Sequence, residues 1–356
     1  MAATPPSEQW AHDEAPQRLI AASAPMRVCD NGGWTDTWFA GHGAVCNVAV
    51  SPRVDVTIGL FRPSGHRRRI LIEAQSLGGS YLVTDAGAGP GRLPLVEATL
   101  LEAGVPDDCD VQIVIRSAVP PGSSTGTSAA VAVALIAGLD HALGRTRPTA
   151  ELAATAHRIE VDRLGLQSGI QDQISAAYGG INFIEMPAYP ASTVTQMTLP
   201  DAFVGELDEG LALVLLGRTH VSSAVHDAVI AGLDHGPGQA VFSDLRAAAR
   251  AAQAALQAGD LERYGLALQA NTTAQAALHP ALVNDDARAV IEVARAQGAL
   301  GWKVNGAGGD GGSLTVLCAP GTTARTEFVA ALARLHPAFR WVPTSISRDG
   351  ALANDV

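Results

Sequence analysis

Pro120-Pro121-Gly122-Ser123-Ser124-Thr125-Gly126-Thr127-Ser128-Ala129-Ala130 follows the β-branched run Val111 to Ile115 and opens the segment Ser128 to Leu143. That segment is apolar almost all round, and a helix without a polar face must be buried. Strand, flexible polar loop and helix N-terminus together make an anion site. The glycines let the backbone approach, unpaired N–H groups point outward, and the helix dipole favours negative charge. A phosphate group suits such a site. The stretch is not a Walker loop, because its spacing differs from G-x-x-x-x-G-K-[ST] and no lysine follows Gly126. An ordinary Ser/Thr-rich helix cap is the plain alternative.

Upstream, short β-rich runs are separated by Gly, Pro and Asp: Ala44 to Val50, Arg53 to Phe61, Arg69 to Glu73 and Tyr81 to Thr84. They predict sheet, with a helix over Leu93 to Ala103. Downstream, Thr149 to Leu164 is amphipathic and predicts a second helix. Strands are expected at Ile181 to Glu185, Thr195 to Leu199, Leu211 to Leu216 and Ser313 to Cys318. Further helices are expected at Gln239 to Ala258, Asp260 to Ala270, Asp285 to Gln297 and Thr323 to Leu335. Pro187, Pro190 and Pro200 break the pattern and suggest a boundary between two α+β domains. The division is a frayed tail over 1–18, a first domain over 19–200 and a second over 201–356.

Two further glycine constellations flank the first. Gly306-Ala307-Gly308-Gly309-Asp310-Gly311-Gly312 contains a literal G-x-G-x-x-G. A dinucleotide-binding fold needs a helix after that motif, whereas here the β-branched run from Ser313 follows, so that reading fails on context. Asn31-Gly32-Gly33-Trp34-Thr35-Asp36-Thr37 sets a flat aromatic face beside a carboxylate, a combination suited to a polyol. Glu160 and Asp172 stand 12 residues apart on either side of the Gly165 and Gly169 turns. Brought back to a phosphate loop, one carboxylate can hold Mg²⁺ and the other orient a hydroxyl proton.

The chain has 356 residues, 24 Lys plus Arg against 35 Asp plus Glu, and a net charge of −11, which argues against a broad nucleic-acid-binding surface. An acidic protein still binds a small anion where backbone N–H groups and a local cation supply the field. Cys29, Cys46, Cys109 and Cys318 form no C-x-x-C pair and read as reduced, buried thiols. No signal core and no apolar run of about 20 residues is visible, so a cytoplasmic, membrane-free protein is expected.

Taken in order, these motifs resemble the GHMP kinase superfamily, named after galactokinase, homoserine kinase, mevalonate kinase and phosphomevalonate kinase, over about Leu19 to Leu317. Gly33-Trp34-Thr35-Asp36-Thr37 and Gly169-Ile170-Gln171-Asp172-Gln173 are similar to the branch of fucokinase and D-glycero-D-manno-heptose 7-phosphate kinase. The resemblance implies an α+β fold of two domains. The first is like domain 2 of ribosomal protein S5, the second is ferredoxin-like, and the site lies between them. It implies ATP and Mg²⁺ as cofactors and a sugar or sugar phosphate as acceptor. Pro121, Gly122, Ser123, Ser124, Thr125, Gly126, Thr127 and Ser128 would wrap the phosphates, with Gly306, Gly308 and Gly309 shaping the nucleotide site. Ser128 and Glu160 would hold Mg²⁺. Asp172 would be the catalytic base, Arg27 would counter developing charge, and Trp34 and Asp36 would meet the sugar. Gly179 and Gly180 would close the acceptor pocket, within reach of His42. The sequence departs from the family pattern at Ser124-Thr125 and at Asp310. Two alternatives stay open: a kinase of a non-sugar alcohol (inositol-like, amino-alcohol or isoprenoid), or a catalytically silent nucleotide sensor. Oligomeric state is not legible.

Overall fold

The computed structural model describes residues 10, 12, 14–65, 68–74, 79–83, 91–217, 227, 229–232, 238–309, 311–321 and 323–356. Asp310 and Thr84 lie outside these residues, as do 1–9, 11 and 13.

Two sheets organise the chain. In the first, the strands β1 (Arg18–Asn31), β2 (Gly43–Phe61), β3 (Ile70–Ala74), β4 (Gly79–Val83), β5 (Asp110–Ser117) and β12 (Leu352–Asp355) run in the order β12-β1-β2-β5-β3-β4. β6 (Ile181–Ala188) pairs with the first half of β2 and carries β7 (Ala191–Gln196) on its far edge. Only β3 and β5 pair in parallel among the described strands. The runs Ala44 to Val50 and Arg53 to Phe61 form one 19-residue strand, whose first half pairs with β6 and second half with β5.

Burial along β1 explains its composition. From Arg18 to Ser23 buried and half-buried residues alternate, as in a strand with one wet face; from Ala24 to Asn31 every residue is buried. The second half is covered on both sides, and two register shifts against β2 fall within it or at its start. The candidate residue Arg27 lies in that half.

On the first sheet pack α1 (Pro94–Ala103), α2 (Thr127–Ala142), α3 (Thr149–Arg158) and α4 (Gln171–Tyr178). Helix α2 is buried along nearly its whole length, as its apolar composition requires. Helix α3 does not run on to Leu164; it passes into a π turn over Ile159–Arg163, in which Leu164 N–H bonds back to Ile159 C=O at 3.2 Å. The wider turn holds Glu160.

The second sheet is antiparallel, in the order β11-β8-β10-β9, from β8 (Leu211–Leu215), β9 (Gly301–Val304), β10 (Ser313–Leu317) and β11 (Arg340–Val342). Helix α5 (Asp201–Gly210) leads into it. Helices α6 (Gly238–Gln257) and α7 (Leu261–Leu278) pack between it and the buried end of β1, sharing a core that includes Val28, Cys46, Leu213, Leu256 and Tyr264. Helices α8 (Asp285–Ala296) and α9 (Ala324–Leu335) cover its other face. Asp260 caps α7 through Arg263 N–H, and Asn284 caps α8 through Ala287 N–H.

Two expectations change. The segment 1–18 is not all tail: Trp10 is buried against Phe61 and Leu71, and His12 lies 3.3 Å from Asp110. Arg18 already belongs to β1 and pairs with Asp355. A single cut near residue 200 also leaves β12 on the wrong side, because the last strand returns to the first sheet beside β1. Strands of three or four residues such as β11 and β12 are too short to show a period. The four cysteines are buried and free. Among the described residues no helix is long and apolar enough to cross a membrane.

Candidate active site

A cavity of about 480 Å³ opens between the two sheets, where the buried end of β1, the loop Pro121 to Ser128, the π turn, the start of α4 and Gly306-Ala307 converge. At its centre the N-terminus of α2 points inward. Gly126 caps that helix with a left-handed φ of +70° and no side-chain hydrogen bond, so the first-turn N–H groups keep their donors free. A Cβ at Gly126 would sit 3.3 Å from the Asp172 carboxyl carbon and 3.4 Å from Arg27 Cγ, so glycine meets both the angle and the space. The hydroxyls of Thr125 and Thr127 turn away into the core and donate to Met26 Sδ at 3.4 Å. The loop therefore offers mostly backbone to the cavity, with the exposed Ser128 as the exception.

Arg27 and Asp172 meet beside that helix end. Arg27 donates from Nε to Asp172 Oδ1 at 2.8 Å and from Nη2 to Oδ2 at 3.1 Å, while Nη1 donates to Ser124 C=O. This two-pronged contact fixes both oxygens of the carboxylate. Arg27 is 4% exposed. Burial opposes its charge, but the carboxylates of Asp172, Asp30 and Asp36 outweigh that and hold its pKa above the ordinary value.

Glu160 is buried opposite Ser128. One oxygen, Oε2, accepts from Ser168 Oγ at 2.7 Å and Gln173 Nε2 at 2.8 Å, whereas Oε1 is buried without a hydrogen-bond partner. Burial pushes its pKa up to about 7, with the Asp172 charge adding to the rise and the Ser168 and Gln173 bonds working against it. Asp36 accepts from Gln171 N–H at 3.1 Å and lines the same cavity. Burial first, then the charges of Asp172 and Asp30, raises its pKa to about 6, against the pull of the Gln171 amide. Trp34 forms part of the wall but is only 5% exposed, packed in a cluster with Phe242, Leu245 and Leu282.

The other predicted residues divide. Gly306 lines the cavity; Gly308 and Gly309 lie behind it, where Gly309 N–H bonds to Leu282 C=O and Asn284 Nδ2 donates to Gly309 C=O at 2.8 Å. Gly179 and Gly180 do not line the cavity. They close the C-terminal end of α4 against the segment 347–350, with Gly180 N–H bonded to Ser347 C=O at 2.7 Å. His42 is exposed away from the site, its carbonyl accepting from Arg246. A glycine pair after an aromatic residue signals a turn, not what the turn rests on, and here it rests on the returning C-terminal chain.

Two residues were missed. Asp30 is fully buried, 3.2 Å from Lys303 Nζ, and accepts from Gly306 N–H at 3.0 Å. Lys303 also donates to Gln275 Oε1 at 3.1 Å and to Val304 C=O. Gln275 in turn donates to Gly306 C=O at 3.1 Å, so Gly306 is held at both ends of its peptide groups. Burial raises the Asp30 pKa, but Lys303, Arg27 and the Gly306 amide outweigh it and bring it below the ordinary value. Burial pulls the Lys303 pKa down, partly offset by Asp30. Charges set inside apolar strands, Arg27 and Asp30 in Met26-Arg27-Val28-Cys29-Asp30 and Lys303 in Gly301-Trp302-Lys303-Val304, are the available signal.

Residues 94–180 match the family model of the GHMP kinases N terminal domain. The mevalonate kinase of Pyrococcus furiosus is 27% identical, over 95% of this chain and 99% of that one. The bifunctional fucokinase/GDP-fucose pyrophosphorylase of Arabidopsis thaliana is 26% identical over 83% of this chain, which spans 30% of the plant protein's length. A D-glycero-D-manno-heptose 1-phosphate kinase from Bacteroides thetaiotaomicron superposes with a TM-score of 0.73 at 20% identity, covering 95% of this chain and 99% of that one. The fold is thus the two-domain α+β fold of these kinases.

Proposed function

From a chain that carries the GHMP kinase N-terminal domain, we propose an ATP-dependent kinase that transfers the γ-phosphoryl group to a hydroxyl of a monosaccharide or sugar phosphate. The observation that carries this reading is the Arg27–Asp172 pair set against the uncapped N-terminus of α2. In-line phosphoryl transfer asks for a positioned hydroxyl, neutralised charge and exclusion of water more than for covalent catalysis.

The residues fit a nucleotide with its divalent ion. The α2 N–H groups and the Gly122 to Thr127 backbone suit the phosphates. Ser128 and the orphaned Oε1 of Glu160 suit Mg²⁺, which takes few protein ligands when phosphate oxygens supply the rest. Bound there, the ion neutralises charge on the transferring group. Asp172, held by Arg27, accepts or orients the proton of the attacking hydroxyl; Arg27 stays charged beside the developing negative charge. Asp36 accepts from acceptor hydroxyls, and the wall of Trp34 excludes water.

The sugar assignment draws on the Trp34-Thr35-Asp36 motif and on the fucokinase and heptose kinase relatives. Its test is ADP release with Mg·ATP across free and phosphorylated sugars, inositols and mevalonate. One sugar giving strong turnover is the expected result, and a signal only from a non-sugar alcohol would overturn the acceptor class. Asp36→Ala should then raise the acceptor KM ~10- to 100-fold, the worth of one or two hydrogen bonds to a charged group, leaving ATP affinity unchanged.

A further inference from the structure

The relatives are named for acceptors of different charge: mevalonate kinases for a carboxylate, fucokinase for a neutral sugar and the heptose kinase for a phosphorylated one. The cavity separates them. Asp30, Asp36, Glu160 and Asp172 all line it, and among the described residues lining it Arg27 is the sole Lys or Arg. That guanidinium is already committed: Nε and Nη2 donate to Asp172 and Nη1 to Ser124 C=O. The nearby Lys303 is committed as well, to Asp30, Gln275 and Val304, and it does not reach the cavity wall.

We infer that the acceptor is an uncharged polyol, and that the carboxylate-rich wall selects against acceptors bearing a phosphate or a carboxylate. This rests on the kinase reading above. An entering anion would share the cavity with Asp36 and Asp172, and with Arg27, the one Lys or Arg among the described lining residues, already engaged, it would meet like charges at close range. A neutral sugar brings O–H donors, which are what acceptor-only carboxylates need. The crowding already acts within the protein: Asp172 and Asp30 help burial raise the Asp36 pKa. The ATP phosphates claim whatever positive potential the α2 N-terminus and a bound divalent ion supply, so little remains for a second anion.

The test compares acceptors that differ chiefly in charge: a hexose, its uronate and its phosphate monoester, with mevalonate added, each assayed for ADP release by the 356-residue chain with Mg·ATP. The free sugar is expected to exceed its charged partners in kcat/KM by ~100-fold, the scale of like-charge juxtaposition in a desolvated site. Equal or better turnover of the phosphate ester or the uronate overturns the inference while keeping the kinase. Turnover of no acceptor at all overturns the kinase reading, and the inference with it. Asp36→Asn supplies the second arm. Removing one carboxylate should narrow the gap between hexose and uronate by ~10-fold; a gap of unchanged width would show that the wall charge does not select.

Discussion

The two sides of the cavity are built on opposite principles. On one side the loop Gly122 to Ser128 and the first turn of α2 present backbone N–H groups, with the side chains of Thr125 and Thr127 turned into the core. On the other side the Gly306 turn is held by a buried ion pair, Asp30–Lys303, and by Gln275. The first side is local in sequence and needs few charges. The second joins residues 276 apart and depends on charges that are almost completely desolvated. A backbone site tolerates many side chains, whereas a buried ion pair tolerates the loss of neither partner.

Lys303→Met breaks that asymmetry most severely. It strands the Asp30 carboxylate, and removal of one partner from a buried pair costs about 3–5 kcal/mol. Urea unfolding should show this loss, with a raised KM for ATP as the Gly306 turn loosens. Asp30→Asn combined with Lys303→Met should recover much of the stability, since no unpaired charge remains. A single variant as stable as wild type would show that the pair is not what fixes the turn. Asp172→Asn acts beside the backbone side and takes the carboxylate from the buried Arg27, so it should also cost stability, but less than Lys303→Met, because Asp30 and Asp36 still offset the Arg27 charge. Its kcat should fall at least ~100-fold, in line with general-base contributions, while ATP binding persists and the melting curve shows the enzyme still folded at the assay temperature. Near-normal turnover would remove Asp172 from the mechanism.

This difference also explains what could be read from the sequence. The phosphate-loop side was legible because a Gly-rich loop between a strand and an apolar helix is a local pattern, and α1, α2, β5 and β8 fall where their periodicity puts them. Glu160 and Asp172 were legible as residues, but not the π turn that turns Glu160 inward, since it breaks the helical period without a glycine or proline at the break. Asp30 stands beside the more conspicuous Asn31-Gly32-Gly33 turn, which masks it as one more loop residue. Its partner lies on another sheet, and only the folded chain shows that the two charges meet. Gly179 and Gly180 failed for a related reason. What they pack against, residues 347–350, carries no pattern of its own.

Glu160→Gln sharpens the electrostatic side through pH. In the folded protein the Glu160 pKa is raised from 4.5 to about 7. Between those values the native state binds more protons than the unfolded chain, so stability falls as pH climbs through this window and is flat above it. The cost at pH 8 is roughly 3 kcal/mol. Glutamine keeps an acceptor for Ser168 Oγ and Gln173 Nε2 and carries no charge. The variant should therefore be more stable than wild type at pH 8, by an amount that shrinks toward pH 4.5. Parallel stability curves for the two proteins across that range would show that Glu160 is not strained by its burial. The kcat/KM of the wild type for Mg·ATP, which reports the enzyme before the ion binds, should rise through about pH 7 as the carboxylate ionises, and this rise should be missing in the variant.

Gly179→Ala should have the smallest effect on catalysis, and for that reason it tests the boundary of the site. At φ +67° the residue sits in the left-handed region, and a Cβ there would collide with the Asp349–Gly350 backbone. The variant should lose about 1–3 kcal/mol of stability, as strain at a special backbone angle does. Its acceptor KM should match wild type, because Gly179 faces the returning segment 347–350 and not the cavity. The two readouts separate the alternatives cleanly. A raised acceptor KM at unchanged stability would return Gly179 to the acceptor pocket, and it would also mean that the C-terminal segment yields when sugar binds. A fall in Tm with unaltered kinetics would leave the pocket to Asp36, Trp34 and Asp172. The end of α4 would then serve as the clamp that holds Asp172 at its other end in place.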